Sequence, residues 1–136
     1  MSLVLAAALA LSPAEADLLR GIHGVESNYG ADLRDGDPHR PICQRSVGGY
    51  QVRPIAVREL VRVGRLKPMK GYSLTNCQAI RKWLGKPVNN KRAATLYLRL
   101  MLERNGMDAE RAACAYNGSR APCAYADKVL AIARDE

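Results

Sequence analysis

Proline and glycine cut this chain into short segments, and within them apolar residues recur every three or four positions. That pattern constrains the fold to a set of short helices. Ser12-Pro13-Ala14-Glu15 opens the first, with Ser12 as N-cap, Pro13 in the first turn and Glu15 closing a capping box. Leu18, Ile22 and Val25 form its apolar stripe, and Gly30 after Asn28-Tyr29 is its stop, which puts Glu26 in the final turn. Residues 31–49 contain Gly36, Pro38, Pro41, Gly48 and Gly49 and read as a long loop, a length usually tied to function. Pro54 begins a second helix carrying Ala56, Leu60 and Val63, closed by Gly64 and Pro68. A third around 76–84 carries Ile80 and Trp83 and stops at Gly85-Lys86-Pro87.

The clearest helix is predicted over 91–104, capped near Asn89 or Asn90, with Ala93, Leu96 and Leu100 in one row and Leu98 and Leu102 widening it. Asp108 caps the next, which reaches about Tyr116 before Asn117-Gly118. Pro122 starts the last, with Tyr125, Val129 and Ile132 as buried candidates. Strand signals are nearly absent, apart from a short hairpin within 40–53. The expected fold class is all-α or mainly α, with at most that hairpin as an α+β element.

A chain of 136 residues fits one domain, taken here as 12–136. Residues 1–16 have two readings, a signal-like segment ending in Ala14-Glu15-Ala16 or an N-terminal helix packed on the domain. The longest apolar run, 3–11, is nine residues. A membrane helix needs ~20, so no membrane span is expected. With 21 Lys and Arg against 13 Asp and Glu, the net charge is +8, which favours anionic partners: nucleic acid, acidic lipid or cell-wall polymer. Arg53, Arg58, Arg62 and Arg65 can make one basic side, and Arg81, Lys82, Lys86, Lys91 and Arg92 another; either also reads as an ordinary solvated face. No Gly-rich, RNP-like or zinc signature accompanies them, so no nucleic acid partner is expected, and the chain is expected to be a monomer.

The four cysteines, Cys43, Cys77, Cys114 and Cys123, lack metal-ligand spacing to each other or to His23 and His39, so no metal or cofactor is expected. An even count in a small chain suits two disulfides and an oxidising compartment, with buried free thiols as the alternative. Of the three possible pairings, Cys43–Cys77 with Cys114–Cys123 is preferred, because the last two straddle one short turn.

Glu26 follows Ile22 and Val25 at the negative end of its helix, where low polarity and the helix dipole both raise a carboxyl pKa. A carboxylic acid kept protonated near neutral pH is what protonation of a glycosidic oxygen requires. Four elements then follow in order: Glu26-Ser27, Gly48-Gly49-Tyr50-Gln51, Ala115-Tyr116-Asn117 and Tyr125-Ala126-Asp127-Lys128-Val129. This series, spread over 18–130, resembles the lysozyme-like lytic transglycosylases and goose-type muramidases. Any one element is weak; four in order within a helical pattern are far more specific.

The resemblance implies a lysozyme-like catalytic domain that cleaves the MurNAc-GlcNAc β-1,4 bond of peptidoglycan, whose glycan strands would be its partner. It implies Glu26 as the catalytic acid, Ser27 as the residue orienting it, and Gln51 lining the cleft to bind sugar. Tyr116 and Asn117 would face Glu26 across the groove, the phenol near the acid and the amide on substrate, while Tyr125 joins the substrate-binding set. It also implies a periplasmic, secreted or virion-associated location. Gly49-Tyr50 stands where the family often has a hydrophobic pair, and 37–43 reads as an extra loop, so the groove need not keep the family's shape.

Most glycosidases use two carboxylates. Asp35 and Asp37 follow Glu26 by nine and eleven positions, and Asp37 is the candidate second catalytic carboxylate of a hydrolytic muramidase. Beside Gly36 and Pro38 it also reads as a turn residue. In that case one carboxylate remains, and the expected route is transglycosylation with a 1,6-anhydromuramoyl product. The rivals from other classes are a non-catalytic wall-binding domain and a basic nucleic-acid-binding helical module.

Overall fold

Ser12 Oγ accepts a hydrogen bond from the Glu15 N–H at 3.1 Å, and Glu15 Oε1 accepts one from the Ser12 N–H at 3.2 Å. The capping box therefore starts helix α1, Pro13–Ser27, where the sequence places it. The computed structural model describes residues 11–34 and 36–135. Residues 1–10, which carry most of the signal-like reading, and Asp35 lie outside the described residues. Five further helices follow among the described residues: α2 Pro54–Arg62, α3 Cys77–Leu84, α4 Pro87–Arg104, α5 Ala109–Tyr116 and α6 Ala124–Arg134. The protein is a mainly helical small domain. Asn76 and Asp108 cap α3 and α5 through side-chain oxygens that accept from Ala79 N (3.2 Å) and Arg111 N (2.8 Å).

Three boundaries differ from the expected ones, each for a local reason. α4 begins at Pro87, so Asn90 sits in its first turn and is not its cap. α1 ends at Ser27, because Asn28 and Tyr29 turn into left-handed backbone at φ 49° and 58°. α6 begins at Ala124, two residues after Pro122, with Cys123 Sγ accepting from Ala126 N at 3.4 Å. The expected hairpin is reduced to one antiparallel bridge between Val47 and Val52, whose two N–H···O bonds (2.9 and 3.0 Å) enclose the turn 48–51.

α1 packs mainly on α6, and α4 on α5. Gly21 permits the first contact: a Cβ there would lie 2.4 Å from the Val129 carbonyl oxygen. Ile22, Val57, Leu60, Ile80, Leu84, Leu98 and Val129 are fully buried at the centre. Each such side chain contributes roughly 1.5–3 kcal/mol relative to exposure.

Both disulfides of the preferred pairing are present. Cys43–Cys77 ties the short 3-10 turn Ile42–Gln44 to the start of α3, and Cys114–Cys123 ties α5 to the start of α6. No helix among the described residues is long and apolar enough to cross a membrane.

Candidate active site

The last turn of α1 carries Glu26 to the floor of a polar cleft of about 260 Å³. The turn 47–52 with its flanking residues forms one wall, contributing Gln44, Ser46, Gln51 and Arg53, and the end of α5 forms another with Tyr116, Asn117 and Ser119. Asp37 and Arg40 reach the cleft from the preceding loop. The fold thus brings Glu26, Asp37, Gln51, Tyr116 and Asn117 into one cavity from positions spread over 92 residues of chain (Glu26 to Asn117 with both ends counted).

Glu26 is partly buried, and the Tyr125 hydroxyl from α6 donates to its Oε2 at 3.2 Å. Burial pushes the carboxyl up from 4.5 to about 7, and the Tyr125 bond and the positive charges of Arg34 and Arg53 pull back only part of that. Such a group is partly protonated at neutral pH, so it can give a proton to a leaving oxygen and retrieve one later. The nearby guanidiniums favour the carboxylate left after transfer. Tyr125 and Tyr116 are themselves pushed above the usual phenol range, first by burial and then by the Glu26 charge, so both remain neutral donors.

Several residues stand differently from the roles the resemblance assigns. The Ser27 hydroxyl donates to Gly49 O at 2.7 Å and accepts from Gly30 N at 2.9 Å, so it ties the end of α1 to the cleft wall and makes no bond to Glu26. The phenol at the acid belongs to Tyr125; Tyr116 lies fully buried and its hydroxyl donates to Tyr50 O at 2.8 Å, fixing the wall from behind. Asn117 is exposed at the cleft and its amide donates to Ser119 Oγ at 3.1 Å. Gln51 lines the cleft with its amide already engaged: Nε2 donates to Arg34 O and Gly48 O, both at 2.9 Å, and Oε1 accepts from Ser46 Oγ at 2.6 Å. Its backbone is left-handed at φ 48°, a conformation of order 1–3 kcal/mol uphill for a side chain of this kind. Asp37 is exposed, and its Oδ1 accepts from His39 N at 2.9 Å, which is the turn expected of Asp beside Gly36 and Pro38.

Asn90 is the residue sequence reasoning missed. It is buried, its Oδ1 accepts from Tyr50 N at 2.9 Å, and its Nδ2 donates to Val47 O at 2.7 Å and Leu84 O at 3.0 Å. One side chain therefore clamps the start and the middle of the cleft-wall turn to the junction of α3 and α4. Gly48 lets it approach: with φ at 81°, a Cβ there would lie 2.3 Å from Asn90 Nδ2. Behind the same wall, His23 stacks on Tyr50 with ring centroids 4.2 Å apart. Burial, then the Lys91 charge, holds its imidazole below the usual range.

Among the described residues no group of three or more His, Cys, Asp or Glu side chains could hold a metal ion. No family model, no curated protein and no solved structure matches the chain.

Proposed function

We propose that the protein is a lytic transglycosylase that cuts the MurNAc-GlcNAc β-1,4 bond of peptidoglycan. The observation that carries this reading is one partly buried carboxyl, Glu26, raised to about 7 and hydrogen-bonded by Tyr125 at the floor of an open polar cleft. In this reaction Glu26 donates its proton to the glycosidic oxygen while the neighbouring N-acetyl group of the sugar assists at the anomeric carbon. The glutamate then takes the proton of the sugar's own 6-hydroxyl, and that oxygen closes the 1,6-anhydro ring. One carboxyl serves as acid and then as base, and no second carboxylate is required. The ordered E-S, G-x-x-Q, A-Y-N and Y-x-x-K-V elements support the same assignment, since residues from each reach the cleft or the residues that brace it. The positive chain suits an anionic wall, and two disulfides suit the periplasm, the exterior or a virion.

A second reading rests on Asp37, which lines the same cleft. If it activates water on the far face of the sugar, the enzyme is a hydrolytic muramidase. Digestion of purified peptidoglycan followed by mass spectrometry tests both. Anhydro ends are expected; reducing ends would establish hydrolysis, and absence of any cleavage would remove both readings in favour of a binding module.

A further inference from the structure

Beside the cleft lies a larger groove, of about 730 Å³, lined by Arg53, Arg58, Arg62 and Arg104 over an apolar floor that includes Ile55 and Tyr97. Two features join it to the site of Glu26. Arg53 lines both cavities, and Tyr97 packs against Tyr116 of the cleft with ring centroids 5.7 Å apart. Glu59 is the one acidic residue lining the groove, and its charge is spent on its neighbours. Its Oε1 accepts from Arg62 Nε at 2.5 Å, and its Oε2 accepts from Arg62 Nη2 at 2.9 Å and Arg104 Nη2 at 2.8 Å. Those bonds hold its carboxyl down at about 2, so it stays ionised and keeps two guanidiniums in place. Neither Arg53 nor Arg58 forms a direct ion pair among the described residues; the Arg53 charge also reaches Glu26, while Arg58 makes only a 3.9 Å contact to Cys43 Sγ. A floor of aliphatic and aromatic side chains beside two guanidiniums that make no direct ion pair fits a short extended chain that alternates carboxylates with methyl-sized groups.

We propose that this groove binds the acidic stem peptide carried on the muramoyl residue of the glycan strand, so that the enzyme senses peptide-bearing wall while its cleft cuts the sugar. The inference rests on the peptidoglycan reading above. A strand seated over Glu26 would present its lactyl-linked peptide to one side of the cleft, and the groove that shares Arg53 is the cationic surface there. Arg53 and Arg58 would hold peptide carboxylates, and Ile55 and Tyr97 would meet the alanine methyls.

The test uses uncrosslinked glycan strands with peptides intact and the same strands stripped by an amidase, each digested by wild type, R58A and R58E. Arg58 is exposed, and unchanged thermal melts check that the variants fold. Wild type should cut peptide-bearing strands about tenfold more efficiently in kcat/KM, the size expected of one charge-assisted hydrogen bond. R58A should lose most of that preference and R58E all of it, both cutting stripped strands at the wild-type rate. Equal cutting of the two strands by wild type, or an equal loss on both in the variants, would overturn the groove assignment and leave the wall-cutting reading standing. Cleavage of neither strand would remove both. Suppression of the preference by soluble poly(glycerol phosphate) but not by free stem tetrapeptide would give the arginines to a phosphate polymer, which also overturns it.

Discussion

Glu26 ties the stability of the fold to pH and, in the proposed reaction, to catalysis. Its carboxyl is raised from 4.5 unfolded to about 7 folded, so the folded state binds the extra proton between those values. Stability tied to this group is therefore full below about pH 4.5 and lost as pH rises through 7. A shift of that size corresponds to about 3 kcal/mol. We predict that E26Q abolishes wall clearing while raising stability at pH 8 by up to that amount, with no gain at pH 4. Urea unfolding at the two pH values measures it, and an E26Q that clears walls at more than half the wild-type rate removes Glu26 from the mechanism. The same ionisation predicts that wild-type kcat/KM falls as pH passes through about 7, since the acid must arrive protonated. For Asp37, D37N should keep both activity and anhydro products, because Asn accepts the His39 N–H as Asp does and so keeps the turn. Lost activity with an intact fold would instead give Asp37 the role of base.

The elements that were legible in the sequence are those whose determinants sit next to them. The Ser12–Glu15 box and Asp108 satisfy N–H groups three residues away, and each marks its helix start as expected. The raised carboxyl of Glu26 was legible for the same reason, through its helix position and its apolar neighbours. Roles that depend on distant partners were not. Ser27 bonds a carbonyl 22 positions on, Tyr125 reaches Glu26 across 99, and Asn90 holds a carbonyl 43 positions back. Nothing in the sequence around Asn90 separates a clamp from a cap, because both use an Asn near a helix start. The wall turn 47–52 has one bridge of its own, so its geometry leans on bonds from outside, one each from Ser27 and Tyr116 and two from Asn90. We predict that N90A costs about 2–4 kcal/mol, from three lost bonds and the buried groups left unpaired. It should also depress activity more than an equally destabilising core change such as V129A, which leaves the wall tethered. Equal activity in the two variants, compared at a temperature where both are folded, would show that the wall holds its shape without Asn90.

At the scale of the whole molecule, the two disulfides guard different things. Cys43–Cys77 closes a loop of sequence separation 34 that contains the cleft wall and all of α2, whereas Cys114–Cys123 spans a separation of 9 between two helices that already touch. In the chain-entropy picture a crosslink stabilises by restricting the unfolded chain, and its effect grows with the loop it closes: about 4 kcal/mol for the first and about 3 for the second. Within the first segment the 3-10 turn at 42–44 buries none of its residues, whereas α2 is held to the core by Pro54, Ala56, Val57 and Leu60, so the crosslink matters most at the turn beside the cleft wall. We therefore predict that C43A/C77A lowers the urea midpoint further than C114A/C123A, and that it alone strips activity under conditions where the helices remain folded. Circular dichroism at 222 nm and wall clearing, followed side by side in increasing urea, separate the two effects. A larger loss from C114A/C123A would mean that the α5–α6 junction, which places Tyr116 behind the cleft wall and Tyr125 at the acid, depends more on its crosslink than on its packing. Thiol titration of the denatured, unreduced wild type should find none free, and four titratable thiols would overturn the assignment to an oxidising compartment.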